Sequence, residues 1–125
     1  MNALEYISVA WRYRTDPLYV KYLAGRSVLD VGAGAGDFVG KDPARFVGVD
    51  IDPKLVEICR GKGLKVHRMN ALTLDFPDAS FDAVHAAQFI EHLAPADAAG
   101  FLVEAARVLR PDGVVFLTTP GVKNV

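Results

Sequence analysis

Apolar positions along this chain fall into short β-branched blocks separated by stretches in which they recur at helical spacing. The blocks predict strands at Ser27 to Val31, Phe46 to Asp50, Leu64 to Arg68, Asp82 to Ala86 and Val114 to Thr118. Helical patterns run from Ala3 to Arg14 and from Pro17 to Ala24, the latter with Asp16 as N-cap and Gly25 just past its end. Asp52 and Pro53 start a further helix through about Arg60, stopped by Gly61 and Gly63, and another is expected from Pro95 to Leu109. Between Phe38 and Arg45, Gly40 and Pro43 leave room for a short or broken helix at most. Strand alternating with helix, with strands apolar on both faces, implies a parallel sheet covered on both sides by right-handed crossovers. The chain contains no internal repeat, linker or low-complexity segment, so residues 1–125 read as one domain.

The first of these strands runs directly into Gly32-Ala33-Gly34-Ala35-Gly36-Asp37. Glycines at alternate positions give a turn whose bare backbone a ligand can touch. The spacing is not the G-x-G-x-x-G of dinucleotide sites, and Asp37 stands where that fingerprint has its third glycine, a charge unfavourable to a pyrophosphate. No Gly-Lys-Ser/Thr ending follows, so a Walker phosphate loop is excluded as well. A nucleoside without a phosphate chain fits the turn better.

Taken with Val47-Gly48-Val49-Asp50-Ile51-Asp52-Pro53, the segment Val28 to Gly36 resembles the class I S-adenosylmethionine (SAM)-dependent methyltransferases. Asp75 to Val84 is similar to that family's approach to its fourth strand, and Leu109-Arg110-Pro111-Asp112-Gly113 to the turn before its fifth. The resemblance spans residues 28 to 119. It implies a Rossmann-like three-layer α/β/α fold of strand order 3-2-1-4-5, with residues 1–25 as an N-terminal helical cap, residues 26–125 as the core, and the ligand at the carboxyl ends of the strands. It further implies a SAM site built from Asp30, Gly32, Gly34, Gly36, Asp50, Ile51, Asn70, Ala71 and Gln88, with S-adenosylhomocysteine (SAH) as product. In that site Asp30 helps to hold the methionyl ammonium, unless it is satisfied by the glycine-loop amides. Asp50 offers two carboxylate oxygens to the two ribose hydroxyls, and Ile51 packs on adenine. Asn70, where the family has Asp, either accepts from the adenine amino group or caps its own loop. Asp52 is left to its helix as N-cap.

The segment Ala86 to Leu93 follows the fourth strand and borders the departing methyl. His92, with an ordinary pKa of about 6.5, is a candidate base for a hydroxyl acceptor, and Glu91 an alternative. The Glu-His pair resembles ubiquinone-biosynthesis O-methyltransferases, some of which carry an acidic metal ligand three residues before the Glu. Gln88 stands there, and a neutral amide holds a hard cation less well, so no metal is expected. No Asn/Asp-Pro-Pro-Tyr follows the fourth strand, which argues against amino-group methylases of adenine or glutamine.

Charge narrows the partners further: 14 basic and 15 acidic residues give a net charge of -1, with no drive toward nucleic acid or an anionic membrane. No apolar run is long enough to span a bilayer, and a cytoplasmic location is expected. The single cysteine, Cys59, excludes an internal disulfide and reads as core, while His67 and His85 read as structural. Tyr6, Trp11, Tyr13, Tyr19 and Tyr22 are either core or a lid over the site, where Arg12 and Arg14 could reach a carboxylate.

The chain ends soon after its fifth strand, where the family adds two more. An apolar edge at Val114 to Thr119 would then be open, suggesting a homodimer through it, or a longer protein of which this is a piece. The function expected is methyl transfer to a small-molecule acceptor. The alternative is a SAM- or SAH-binding module completed by a partner chain.

Overall fold

A computed structural model of the chain describes residues 3–6 and 16–118. In chain order the elements are β1 (Ala3–Tyr6), α1 (Asp16–Tyr22), β2 (Val28–Val31), β3 (Phe46–Asp50), α2 (Pro53–Gly61), β4 (Val66–Arg68), β5 (Phe81–Ala87), α3 (Pro95–Val108) and β6 (Leu109–Thr118), with single 3-10 turns at Val39–Lys41 and Ile90–His92. The sheet runs β1-β6-β5-β2-β3-β4, every pair parallel. Apart from β1, this is the expected 3-2-1-4-5 order.

Period-two alternation sorts neighbouring side chains onto opposite faces. Leu29, Val84 and Val115 point to one core, which α3 covers with Phe101, Ala105 and Val108. Val28, Ala83 and Val114, each one residue earlier, point to the other, closed by Leu23 beside α1 and by Val56 and Cys59 of α2. Helices on both faces make the three layers. Asp52 caps α2 as its sequence suggested, its side chain accepting the Lys54 N–H at 2.9 Å.

Two departures from expectation occur at the β6 edge. Ala3–Tyr6 is not helical but a strand, in register with Val114 to Leu117. Four residues are too few to distinguish a helical from an alternating pattern, and the ladder groups of β6 give them bonding partners that no isolated helical turn has. This strand occupies the edge through which a homodimer was expected, so the reason for that dimer is removed. The Pro111-Asp112-Gly113 turn, in turn, lies inside β6 as a bulge: Phe81 pairs with Leu109, but Ala83 pairs with Val114. Gly113 is required there, because a β-carbon would stand 2.9 Å from the Arg110 carbonyl and 3.0 Å from that of Asp82.

Trp11, Arg12, Tyr13 and Arg14 lie outside the described residues, and of Tyr6 the strand alone is described. Tyr19 and Tyr22 belong to the core rather than to a lid: Tyr19 meets Phe38 and Phe46 edge-on, and Tyr22 packs on Phe116.

Asp30 and His85 are cross-strand partners on the α1/α2 face, the His85 Nδ1 lying 2.7 Å from the Asp30 carboxylate. Both are buried, and the imidazole stacks on Phe38 at 3.9 Å between ring centres. Burial pushes the Asp30 carboxyl above its usual range while His85 opposes the rise. At the other end of β5, burial of Asp82 is outweighed by the Ser27 N–H and the Arg110 guanidinium, which hold its carboxyl below the usual range.

Arg107 fastens the segment before β5 to α3. It donates to the carbonyls of Leu74 and Phe76 and to Asp78 and Glu104, and Glu104 accepts the Leu74 N–H in return. Lysine keeps the charge but not the planar fork. Arg107→Lys is therefore expected to lower the thermal midpoint and to speed hydrogen exchange at residues 73–80 while β2 amides stay protected; unchanged exchange there would remove the clamp. His85→Ala orphans a buried carboxylate and is expected to cost about 3 kcal/mol. With His85 gone, nothing opposes the rise in the Asp30 pKa. A raised carboxyl is protonated more readily in the folded than in the unfolded chain, so its penalty is absent at low pH, develops as pH rises above the unfolded value and is complete once pH passes the folded one. The wild-type-to-variant gap in urea midpoint should be wider at pH 7 than at pH 4.5, whereas a gap independent of pH would mean that only ring packing was lost.

Candidate functional site

Because every strand points the same way, the carboxyl ends of β2, β3, β4 and β5 meet along one rim of the sheet, and a cavity of about 470 Å³ opens there. Its walls are Val31 and Gly32 at the end of β2, Val49, Asp50 and Ile51 at β3, Met69 to Leu72 after β4, Ala87 to Phe89 at β5, then Leu93 and Asp97. Six of the nine residues expected to bind a cofactor are thus brought together: Gly32, Asp50, Ile51, Asn70, Ala71 and Gln88.

Asp50 is the most firmly held of them. One carboxylate oxygen accepts the Gly34 N–H and the other the Asp52 N–H, each at 2.9 Å. Each oxygen keeps a lone pair, so the group can still accept two hydroxyls from a ligand. Ile51, beside it, is 59% exposed, an aliphatic surface with nothing of the described chain over it.

The glycine turn divides its labour. Gly32 and Gly34 adopt φ of +75° and +57°, where side-chain-bearing residues are strained. A β-carbon at Gly32 would stand 2.9 Å from the Phe89 ring, while one at Gly34 would meet open space. At Gly36 it would come 2.5 Å from Leu64 and 3.0 Å from the Cys59 sulfur, so this glycine serves packing against α2 rather than a ligand. Neither Gly34 nor Gly36 lines the cavity. The turn is fastened from α2 by the Cys59 thiol, 3.2 Å from the Gly34 carbonyl, and by Lys62 just beyond the helix, 2.7 Å from the Ala35 carbonyl. Burial pushes that thiol up, in keeping with a core role.

Two expectations are corrected, and the alternatives left open at Asn70 are narrowed. Asp30 does not reach the cavity, because strand alternation turns it to the face opposite Val31, where His85 rather than a ligand or the loop amides satisfies it. Asn70 lines the cavity and also caps its own loop, its amide oxygen accepting the Leu72 N–H at 2.8 Å and keeping one lone pair. Glu91 and His92, on the turn after β5, lie outside the cavity walls; the imidazole is 76% exposed and 3.9 Å from Glu91.

Phe89 and Leu93 belong to the segment expected to border the methyl, whereas Val31, Val49, Met69, Leu72 and Asp97 were not among the expected site residues. Asp97 had a signal: α3 begins at Pro95 soon after the carboxyl end of β5, so its first turn must stand at the ligand rim. Gln88 holds a left-handed φ of +50° with its N–H on the Thr118 carbonyl, a strained position of the kind that collects at binding sites. None of the described wall residues is basic. Among the described residues no group of three or more His, Cys, Asp or Glu could hold a metal, and no helix is long and apolar enough to cross a membrane.

Comparison with known proteins agrees with this architecture. The sequence model of the methyltransferase domain matches residues 29–117. A probable S-adenosylmethionine-dependent methyltransferase of Mycolicibacterium smegmatis is 37% identical over 118 residues, covering 88% of this chain and 45% of that protein. The demethylmenaquinone methyltransferase of Tropheryma whipplei is 38% identical over 97 residues, covering 72% and 40%. Among solved structures, a SAM-dependent methyltransferase from Archaeoglobus fulgidus superposes with a TM-score of 0.66 at 30% identity, over 75% of this chain and 45% of that one. The chain therefore spans less than half the length of these relatives. With the glycine turn, the strand order and the rim cavity all of one type and the match running from β2 to β6, the chain belongs to the methyltransferase-domain family of SAM-dependent methyltransferases.

Proposed function

We propose that this chain binds the adenosine end of SAM in the rim cavity and forms the cofactor half of a methyltransferase acting on a small-molecule acceptor. The observation that carries the reading is Asp50, a carboxylate held by two backbone amides at the end of β3 with lone pairs free for a ribose diol. Its surroundings fit the rest of a nucleoside. Ile51, Ala71, Met69 and Leu93 give an apolar slot for a purine, and the volume is within the usual range for ligand pockets, about 300–1,000 Å³. A dinucleotide fits less well, since a pyrophosphate would find carboxylates and no cation in the described walls.

SAM supplies a methyl already activated by its sulfonium. What remains for the chain is alignment and exclusion of water. Gly32 gives the ligand backbone to lie against, while Phe89 and the strained Gln88 shape the side from which an acceptor approaches. Neither Glu91 nor His92 stands in the cavity wall, so the reading assigns them no proton transfer. Support for a small acceptor comes from the demethylmenaquinone methyltransferase among the relatives and from the near-neutral charge of the chain.

Calorimetric titration with SAM and SAH tests the reading. Micromolar binding is expected, weakened at least about tenfold (~1.4 kcal/mol) in Asp50→Ala. Folded protein that binds neither would overturn it, and binding without turnover across a metabolite panel would favour a cofactor-binding module. Where turnover is found, excess chelator should leave it unchanged; loss restored by magnesium would put a metal in the mechanism.

A further inference from the structure

Asn70 stands where the resembled methyltransferases carry an acid, but it is a neutral amide whose side-chain oxygen already accepts one bond, the Leu72 N–H at 2.8 Å. The base end of the cavity would thus be short of an anionic acceptor were it not for the opposite wall. Asp97 supplies one from the first turn of α3. Its carboxylate has no hydrogen bond or ion pair with any described residue.

Helix geometry fixes which part of the cavity Asp97 serves. Residues three apart lie on one helix face, and Gly100, one turn on, lies against the Asn70–Leu72 loop: a β-carbon there would be 3.4 Å from Leu72 Cδ2. Glu104 and Arg107 continue the same stripe and grip the chain from Leu74 to Asp78. Asp97 therefore lies in the cavity wall on the helix face that meets the chain after β4.

Resting on the adenosine reading above, we infer that Asp97 is the specificity residue for the purine, accepting the exocyclic amino group of adenine in place of Asn70. An amino edge has N–H to donate, and an unpaired carboxylate is the strongest acceptor the described walls hold apart from Asp50, whose oxygens serve the ribose. A purine with a carbonyl at that edge would set an acceptor against the carboxylate and be rejected.

The test compares SAH with its analogue lacking the 6-amino group, by calorimetry on the full chain. Wild type should prefer SAH by about tenfold or more. In Asp97→Ala, SAH should weaken by about tenfold with the analogue unchanged, so that the preference disappears; Asp97→Asn, which keeps an acceptor oxygen, should restore part of it. Asn70→Ala should weaken both ligands alike and leave the preference. Melting curves matching wild type exclude misfolding. An equal loss for both ligands in Asp97→Ala, or a preference that vanishes in Asn70→Ala instead, would overturn the assignment while leaving the cofactor site standing. Failure of wild type to bind SAH at all would overturn the adenosine reading and this one with it.

Discussion

Gly34 and Asp52 reach the Asp50 carboxylate from two directions, and most of the site depends on that junction. The Gly34 N–H belongs to the turn after β2 and the Asp52 N–H to the cap of α2, so one side chain ties together the ends of two strands and the start of a helix. The glycines are needed for this as much as for any ligand: the left-handed φ at Gly32 and Gly34 is the conformation in which the turn presents an amide to β3. Behind the turn, the Cys59 thiol and Lys62 bind its carbonyls, so α2 and its end engage the acceptors of this short loop while β3 takes its donors. A site assembled in this way is formed before any ligand arrives, which lowers the ordering cost of binding.

The parallel sheet imposes a second constraint, that each strand offers alternate residues to two different compartments. On β2, Val31 and the following Gly32 border the cavity, whereas Asp30 goes to the other face. There it meets His85, and the pair is enclosed by Phe38 and Phe116. A buried carboxylate so close to a ligand site invites a ligand role, but its geometry is that of a core pair that holds β2 to β5.

Much of this was legible in the sequence because it follows from local chemistry. Strand blocks, the glycine turn, the Asp52-Pro53 cap and the placing of Asp50 at a strand end all depend on residues within a few positions of one another. What was not legible depends on pairing at a distance. Nothing near Asp30 says that His85, 55 residues later, lies opposite it. Nothing in Ala3 to Tyr6 says that the edge of β6 will recruit it, because four residues carry no reliable period. Asn70 shows the same limit at short range: the residue type allows both a loop cap and a ligand contact, and only the placing of the Leu72 N–H shows that the cap is made.

Helix α3 joins the remaining parts. Asp97, Gly100, Glu104 and Arg107 recur at intervals of three and four, which makes one stripe along the helix, and all of that stripe is turned to the chain between β4 and β5. Its far end grips Leu74 to Asp78 with a guanidinium and a carboxylate; its near end closes the cavity. The Asn70–Leu72 wall is consequently fixed between β4 and the Arg107 clamp, and the distance from that wall to Asp97 is set by a helix rather than by a loop. Rigid placement of this kind allows a single hydrogen bond to discriminate between bases, because a loose loop would shift to accommodate the wrong one.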